Sequence, residues 1–246
     1  KKFKKLDLKC DYLFVHNNTV GKLYQSFCQS KICSIGSFDS NAESIKKTKK
    51  QKHQFLFISN IRVQRSIKKY PELKKDFELL NLISKFSKRE GLKMTVLGAH
   101  ERPHLQKKEY TILKKIFKDN LKYIPRNSKR KTYKILDNTE IAINIDSTAG
   151  YEAASRGTKV AFFAPKGNVY PYNTYKFGWP IKKKNKGLFW TSDLKYSEIE
   201  RIMKNLKKLS SFDFKRIAKK ELENIMVYKP GNNQFKETVN KILSKN

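Results

Sequence analysis

Residues 141 to 163 read Ile-Ala-Ile-Asn-Ile-Asp-Ser-Thr-Ala-Gly-Tyr-Glu-Ala-Ala-Ser-Arg-Gly-Thr-Lys-Val-Ala-Phe-Phe. The pattern is an apolar strand, a tight turn, a helix, a glycine stop and a second apolar strand. Ser147 and Thr148 fall where the helix begins. A helix start leaves backbone N–H groups unpaired and carries the positive end of the helix dipole, so it suits phosphate. Gly150, in the first turn, has no side chain to block close approach. Glu152 lies about one turn in, where a carboxylate can accept from two vicinal hydroxyls, as on a ribose. Gly157 closes the helix as a C-cap. A plainer reading makes Ser147 only an N-cap and Glu152 only a favourable charge near the helix start. The strand–helix–strand setting favours the binding role.

Other candidates lie in loops. Arg62 and Arg65 follow an apolar strand on its ligand-bearing edge; Arg62 could clamp phosphates, while Arg65 fits better as part of a surface helix face. Gly98, His100, Glu101, Arg102 and His104 crowd the loop after a second strand; Gly98 and His100 are possible ligand-pocket residues. Tyr170, Tyr172, Tyr175, Phe177 and Trp179 form an aromatic loop, from which Tyr172 and Phe177 could line the same pocket. His16 sits at an early strand end. No spacing here makes a metal site, and none is expected.

These residues need elements to hold them. Tyr12–Val15, a helix over Val20–Phe27 and Lys31–Ile35 form a first strand–helix–strand unit. Ser37 to Gln54 is polar and lysine-rich without apolar period, a linker signature. Phe55–Ile58 then opens a regular alternation. Leu73, Phe77, Leu80, Ile83 and Phe86 share one helix face; strands follow at Met94–Leu97, Tyr123–Ile124, Ile141–Ile145 and Lys159–Phe163. Short helices are expected at 109–117 and 133–138, with more near 197–209, 214–226 and beyond Gly231. Alternation of this kind predicts an α/β fold: a Rossmann-like parallel sheet with helices on both faces, preceded by a partial βαβ unit. The expected division is residues 1–40, a linker over 41–54, and a nucleotide-binding domain over 55–246. Ligands of such sheets bind at the carboxyl ends of the strands.

The chain has 246 residues, a net charge of +33, 38% hydrophobic and 12% aromatic residues, enough apolar content to exclude wholesale disorder. No apolar run reaches the ~20 residues of a membrane span. Cys10, Cys28 and Cys33 are too few for a disulfide framework and fit a reducing compartment. The chain begins at Lys1 and carries no signal peptide, which reads as a piece of a longer protein. Only nine of the 55 basic residues are arginine, and no nucleic-acid motif occurs, so nucleic acid is a disfavoured partner. A lysine-rich solvated surface, or peripheral contact with an anionic membrane, fits better.

The stretch Asp146–Lys159 resembles the nucleotide-binding segment of the C-terminal domain of GT-B glycosyltransferases. It is most similar to bacterial surface-carbohydrate (capsule and lipopolysaccharide) biosynthesis proteins, in which a D-S-T-x-G-x-E-A-x-x-R-G-x-K pattern recurs. Ile35–Asn41, Phe57–Asn60, Phe177–Pro180, Lys186–Trp190 and Pro230–Asn232 are similar to flanking parts of that family. The resemblance implies two Rossmann-like domains facing a cleft, of which this chain holds one and the end of the other. It implies Ser147, Thr148, Gly150 and Arg62 at the donor phosphates and Glu152 at the ribose. It also implies a nucleotide-sugar donor, a glycan or lipid-linked acceptor, and a cytoplasmic or peripheral inner-membrane location. No metal is implied, and the catalytic base would lie on the other domain. The E-x7-E pattern of many retaining members would need Glu eight residues before Glu152, where this chain has Asn144, so the stereochemistry stays open. Alternative readings are a polyol-phosphate transferase or nucleotide-sugar epimerase on the same site, or a non-catalytic basic module for nucleic acid or anionic lipid.

Overall fold

A computed structural model describes residues 8–46, 48, 53–127, 129–170, 173–181 and 183–244. Its larger sheet has six parallel strands: β3 (His53–Ile58), β4 (Met94–Leu97), β5 (Leu121–Ile124), β6 (Thr139–Asn144), β7 (Lys159–Phe163) and β8 (Trp190–Thr191). Their order is β5-β4-β3-β6-β7-β8. Counted from β3 as the first strand, this is the 3-2-1-4-5-6 order of a doubly wound dinucleotide-binding sheet, whose direction reverses between β3 and β6. β4 and β7 are buried along their whole length and β6 along most of it, as expected of strands covered on both faces.

Helices cover both faces. α3 (Leu73–Arg89) packs against α4 (Pro103–Phe117) and α7 (Tyr196–Lys208). α6 (Thr148–Ser155) packs against α5 (Lys129–Asp137) and α8 (Ser211–Leu222). α3 buries Leu79, Leu80, Ile83 and Phe86 at helical spacing, so its inward stripe joins the core beneath β3 and β4.

α4 is longer than the periodicity predicted. It begins at Pro103, the position a proline favours, so His104 lies in a helix rather than a loop. Glu109 is then mid-helix and fully buried, accepting from Tyr123 OH at 2.9 Å, from the Ala99 N–H at 3.0 Å and from Ser59. β8 also escaped the sequence reading, because two residues carry no period. Hydrogen bonds from Phe162 N–H to Phe189 C=O (2.8 Å) and from Ala164 N–H to Thr191 C=O (2.9 Å) define it.

The second sheet pairs β1 (Leu8–Val15) with β2 (Cys28–Ser34) in parallel, joined by α1 (Asn18–Gln25). The C-terminal helix α9 (Asn233–Leu243) returns to this sheet: Phe235 packs edge-on to Phe14 (4.9 Å) and to Phe38 (5.2 Å). Lys229 Nζ donates to Ser34 C=O at 2.7 Å, and Asn17 Nδ2 to Ile225 C=O at 2.5 Å.

Between the sheets, the described part of the 41–54 segment is fastened. A short helix, α2 (Phe38–Ala42), ends at Glu43, and Asn41 is buried. Arg156, 1% exposed, donates to the carbonyls of Ser40 and Glu43 at 2.8 Å each and to that of Ser44 at 3.4 Å. Lys46 N–H reaches Asp137 Oδ2 at 3.3 Å, and Thr48 N–H reaches Asn138 Oδ1 at 2.7 Å.

Candidate functional site

β6 ends at Asn144, and the chain turns through Ile145 and Asp146 into α6. Ser147 is the N-cap: its extended backbone lets Oγ accept from the Ala149 N–H at 3.3 Å. Gly150 lies directly over Asn144. A Cβ there would overlap the Asn144 side chain, so only glycine lets the first turn of α6 sit this close to β6. Asn144 is fully buried, and neither side-chain polar atom has a hydrogen-bond partner.

Ser147, Thr148 and Glu152 share one cavity of about 170 Å³ at the start of α6. Arg126, Tyr133, Thr132 and Asp39 complete its wall, and the sequence reading had not named them. Arg126 stands just past β5, held near Glu101 (Nε–Oε1 3.6 Å) and the Ala99 carbonyl (3.5 Å). Its place was within reach of the sequence, since Pro125–Arg126 ends a strand of a parallel sheet, where ligands sit. Tyr133 and Ser37 gave no such signal; the fold alone brings them in.

Glu152 is already engaged. Ser37 Oγ donates to Oε1 at 2.5 Å and Tyr133 OH donates to Oε2 at 3.0 Å. Burial, and then the adjacent Glu152 carboxylate, push the Tyr133 phenol far above its ordinary range, so it stays a donor at any physiological pH. A carboxylate oxygen has two acceptor directions, so each oxygen keeps capacity for a ligand hydroxyl. The cavity thus joins a cationic part, made of the helix start and Arg126, to an acceptor part, made of Glu152. That pairing suits a phosphate next to a diol.

The remaining sequence candidates lie elsewhere. Arg62 lines a different cavity. His100 Nε2 donates to Ile61 C=O at 2.8 Å and so ties the β4–α4 loop to the β3–α3 loop. Gly98 is packed under Tyr123, whose hydroxyl a Cβ would meet. Phe177 is buried, stacked on Trp190 at 4.7 Å and on Tyr151 at 5.8 Å. The space beside it measures about 30 Å³, room for about one water. Tyr172 lies outside the described residues.

A second polar cluster was not foreseen. Lys166, just after β7, pairs with Asp76 of α3 at 3.1 Å and with Asp146 in the turn between β6 and α6. Burial raises the Asp76 carboxyl to about 6, against the pull of Lys166. Burial alone would lower the Lys166 ammonium; the carboxylates of Asp146 and Asp76 outweigh it and hold the ammonium above its ordinary value.

The strand order and the two helical layers define a doubly wound, Rossmann-like fold. Similar solved structures agree with that fold. The chain resembles the pneumococcal O-GlcNAc transferase GtfA in complex with UDP and GlcNAc (15% identity, TM-score 0.54, covering 98% of this chain and 47% of that one). It also resembles sucrose-phosphate synthase from Thermosynechococcus elongatus (9%, 0.55, 99% and 61%). A third likeness is to a structure described as "putative UDP-N-acetylglucosamine 2-epimerase from Listeria monocytogenes" (9%, 0.52, 87% and 54%). The chain therefore spans 47% to 61% of the length of these proteins. No curated protein matches the sequence. The chain belongs to the family described as "putative O-antigen biosynthesis protein", which matches residues 1–243. The resemblance drawn from Asp146–Lys159 is met in both respects, the GT-B fold and the surface-carbohydrate family. Among the described residues, no helix is long and apolar enough to cross a membrane.

Proposed function

We propose that this chain is the donor-binding part of a glycosyltransferase that uses a nucleotide-activated sugar to build a bacterial cell-surface polysaccharide. The observation that carries the reading is the α6 cavity, where a helix start and Arg126 meet Glu152 at the carboxyl edge of a doubly wound sheet. The N–H and hydroxyl of Thr148, with Arg126, would hold the donor phosphates and stabilise the charge that develops as the nucleotide leaves. Glu152, oriented by Tyr133 and Ser37, would accept from the ribose hydroxyls. Residues 1–40 would belong to the acceptor-side domain, 41–54 to the linker and 55–246 to the donor-side domain. No metal is assigned a role. The lysine-rich surface supports a peripheral place on the cytoplasmic face of the membrane, where each suitably placed lysine contributes about 1 kcal/mol, screened by salt.

Thermal shift with UDP, GDP, CDP and CMP compounds tests the site, because a ligand of the folded state raises the melting point by mass action. One nucleotide should stabilise the chain, and Glu152→Ala should weaken it by about 1–3 kcal/mol, the range for a charged hydrogen bond. A folded Glu152→Ala protein with unchanged affinity would refute the ribose role. Sugar transfer should require the upstream domain, since closure of two domains excludes water and brings in the acceptor. Full turnover by these 246 residues alone would overturn the two-domain reading.

A second reading is nucleotide-sugar epimerisation on the same site, favoured by the likeness to the Listeria structure. An NMR assay of a UDP-sugar with the domain-complete protein separates the two. Inversion of a sugar centre without an acceptor supports the epimerase; acceptor-dependent release of UDP supports the transferase.

A further inference from the structure

The outer face of α8 differs from those of α3 and α7. There the cations meet acids: Lys75 with Glu78, Arg89 with Glu90 and Glu200, Arg201 with Glu198, and Lys204 with Glu200. On α8 Arg216 lies 3.7 Å from Asp213, but Lys215, Lys219 and Lys220 are exposed and have no carboxylate partner among the described residues. Phe212, three residues before Lys215, is 77% exposed, the barest large apolar side chain among the described residues.

Phe212, Lys215, Lys219 and Leu222 recur at spacings of three and four, so they form one stripe along the helix. The stripe borders a groove of about 310 Å³ between α6 and α8. Ala154 of α6 and Ala218, Leu222 and Met226 make its walls apolar, and Lys215 and Lys219 stand beside them. Glu223, also lining the groove, accepts from Asn224 Nδ2 at 3.4 Å. An occupant must therefore bring negative charge to two lysines, apolar length to the groove and an apolar neighbour to Phe212. Nucleic acid brings phosphates but nothing to fill an apolar groove, and a small soluble anion leaves Phe212 in water. A bilayer surface containing anionic phospholipid meets all three demands. Lysines suit it, since a compact charge on a flexible stem can follow headgroups that move sideways.

We propose that the α8 face docks on an anionic bilayer, with Phe212 in the interface, Lys215 and Lys219 on phospholipid phosphates, and one acyl chain in the groove between α6 and α8. This rests on the peripheral membrane location proposed above and names the face that makes the contact. Arg216 and Lys220, on the same helix, add to the attraction.

The test is co-sedimentation of the 246-residue chain with phosphatidylcholine vesicles, with and without phosphatidylglycerol. The protein should bind only the vesicles that contain phosphatidylglycerol, and less as salt rises. Lys215→Gln with Lys219→Gln should weaken binding about thirtyfold, the combined loss of two lysine contacts. Phe212→Ser should weaken it about tenfold, the loss of one apolar side chain from the interface. Lys107→Gln with Lys108→Gln removes the same charge from exposed positions on α4, in the opposite helical layer, and should weaken binding less than about threefold. All these positions are exposed, so the melting temperatures should stay unchanged. Phosphatidylglycerol spin-labelled in its acyl chain should broaden the methyl signal of Met226 and spare those of Met94 and Met203, which are buried in the main core. Equal losses from the two lysine pairs, or an unaffected Met226 signal, would overturn the α8 face while the peripheral location stands. Binding that polyglutamate displaces and that does not need Phe212 would assign the face to an acidic protein and overturn the proposal. No binding to any vesicle would overturn both the face and the location.

Discussion

Replacing Arg156 with alanine should destabilise the protein by about 3–5 kcal/mol, the cost of removing one partner from a buried charge pair. Arg156 Nε and Nη2 grip Asp137 at 2.9 and 2.6 Å, with both side chains nearly inaccessible. The same guanidinium satisfies the carbonyls of Ser40, Glu43 and Ser44 and sits between the rings of Tyr133 (5.2 Å) and Tyr228 (4.8 Å). Burial opposes its charge, and Asp137 outweighs that to keep its affinity for the proton above the ordinary value. Alanine would leave the buried Asp137 carboxylate without its cation and take a donor from the carbonyls of Ser40, Glu43 and Ser44. It would also release the chain between the two sheets, so trypsin should cut near Lys46 sooner in the variant than in the parent. Lysine should not rescue it, because an ammonium cannot fork across Asp137 while reaching carbonyls on its other side. A denaturant midpoint that costs less than about 1 kcal/mol would show that Asp137 and the three carbonyls find other partners.

Lys166→Met should produce a loss of similar size, and one that depends on pH. In the parent, burial already lifts the Asp76 carboxyl to about 6 from an ordinary value of 3.8, even beside Lys166. Without the ammonium, Asp76 rises further. A carboxyl raised by folding contributes stability that is present below its unfolded value and is lost as pH climbs through its folded value. At pH 5 Asp76 can therefore stay protonated in the variant, and the cost is modest. At pH 8 an unpaired carboxylate must be buried, and the loss should reach about 3–5 kcal/mol. The parent should show a weaker fall between about pH 4 and 6 from the same group. Denaturant unfolding of both proteins at pH 5 and pH 8 checks the sign. A gap between them that shrinks toward pH 8 would mean that Asp76 is ionised and well solvated in the folded protein.

Much of the larger sheet and its helices could be read from the sequence because the signals are local. The β6–α6–β7 unit carries its own N-cap at Ser147, its close-packing glycine at Gly150 and its stop at Gly157, all within a span where strand and helix periods differ clearly. The runs Met94–Leu97 and Lys159–Phe163 could only be buried parallel strands, and both emerged with the expected bounds. The alternation of elements then fixed the fold class, and with it the strand ends where ligands bind.

Partnership was decided by the tertiary structure. Glu152 was legible as a carboxylate near a helix start, but the Ser37 hydroxyl that holds it is 115 residues away. Asp76, Asp146 and Lys166 come from three elements, and nothing in a chain with 46 lysines marks Lys166 as the one that is buried between carboxylates. The same holds for Arg62, which the sequence set beside the α6 phosphates and the fold sets at the mouth of another cavity. Periodicity and capping report on neighbours within a few residues. Which charges meet depends on how whole elements stack, and that is settled only when the sheet and its two helical layers close around them.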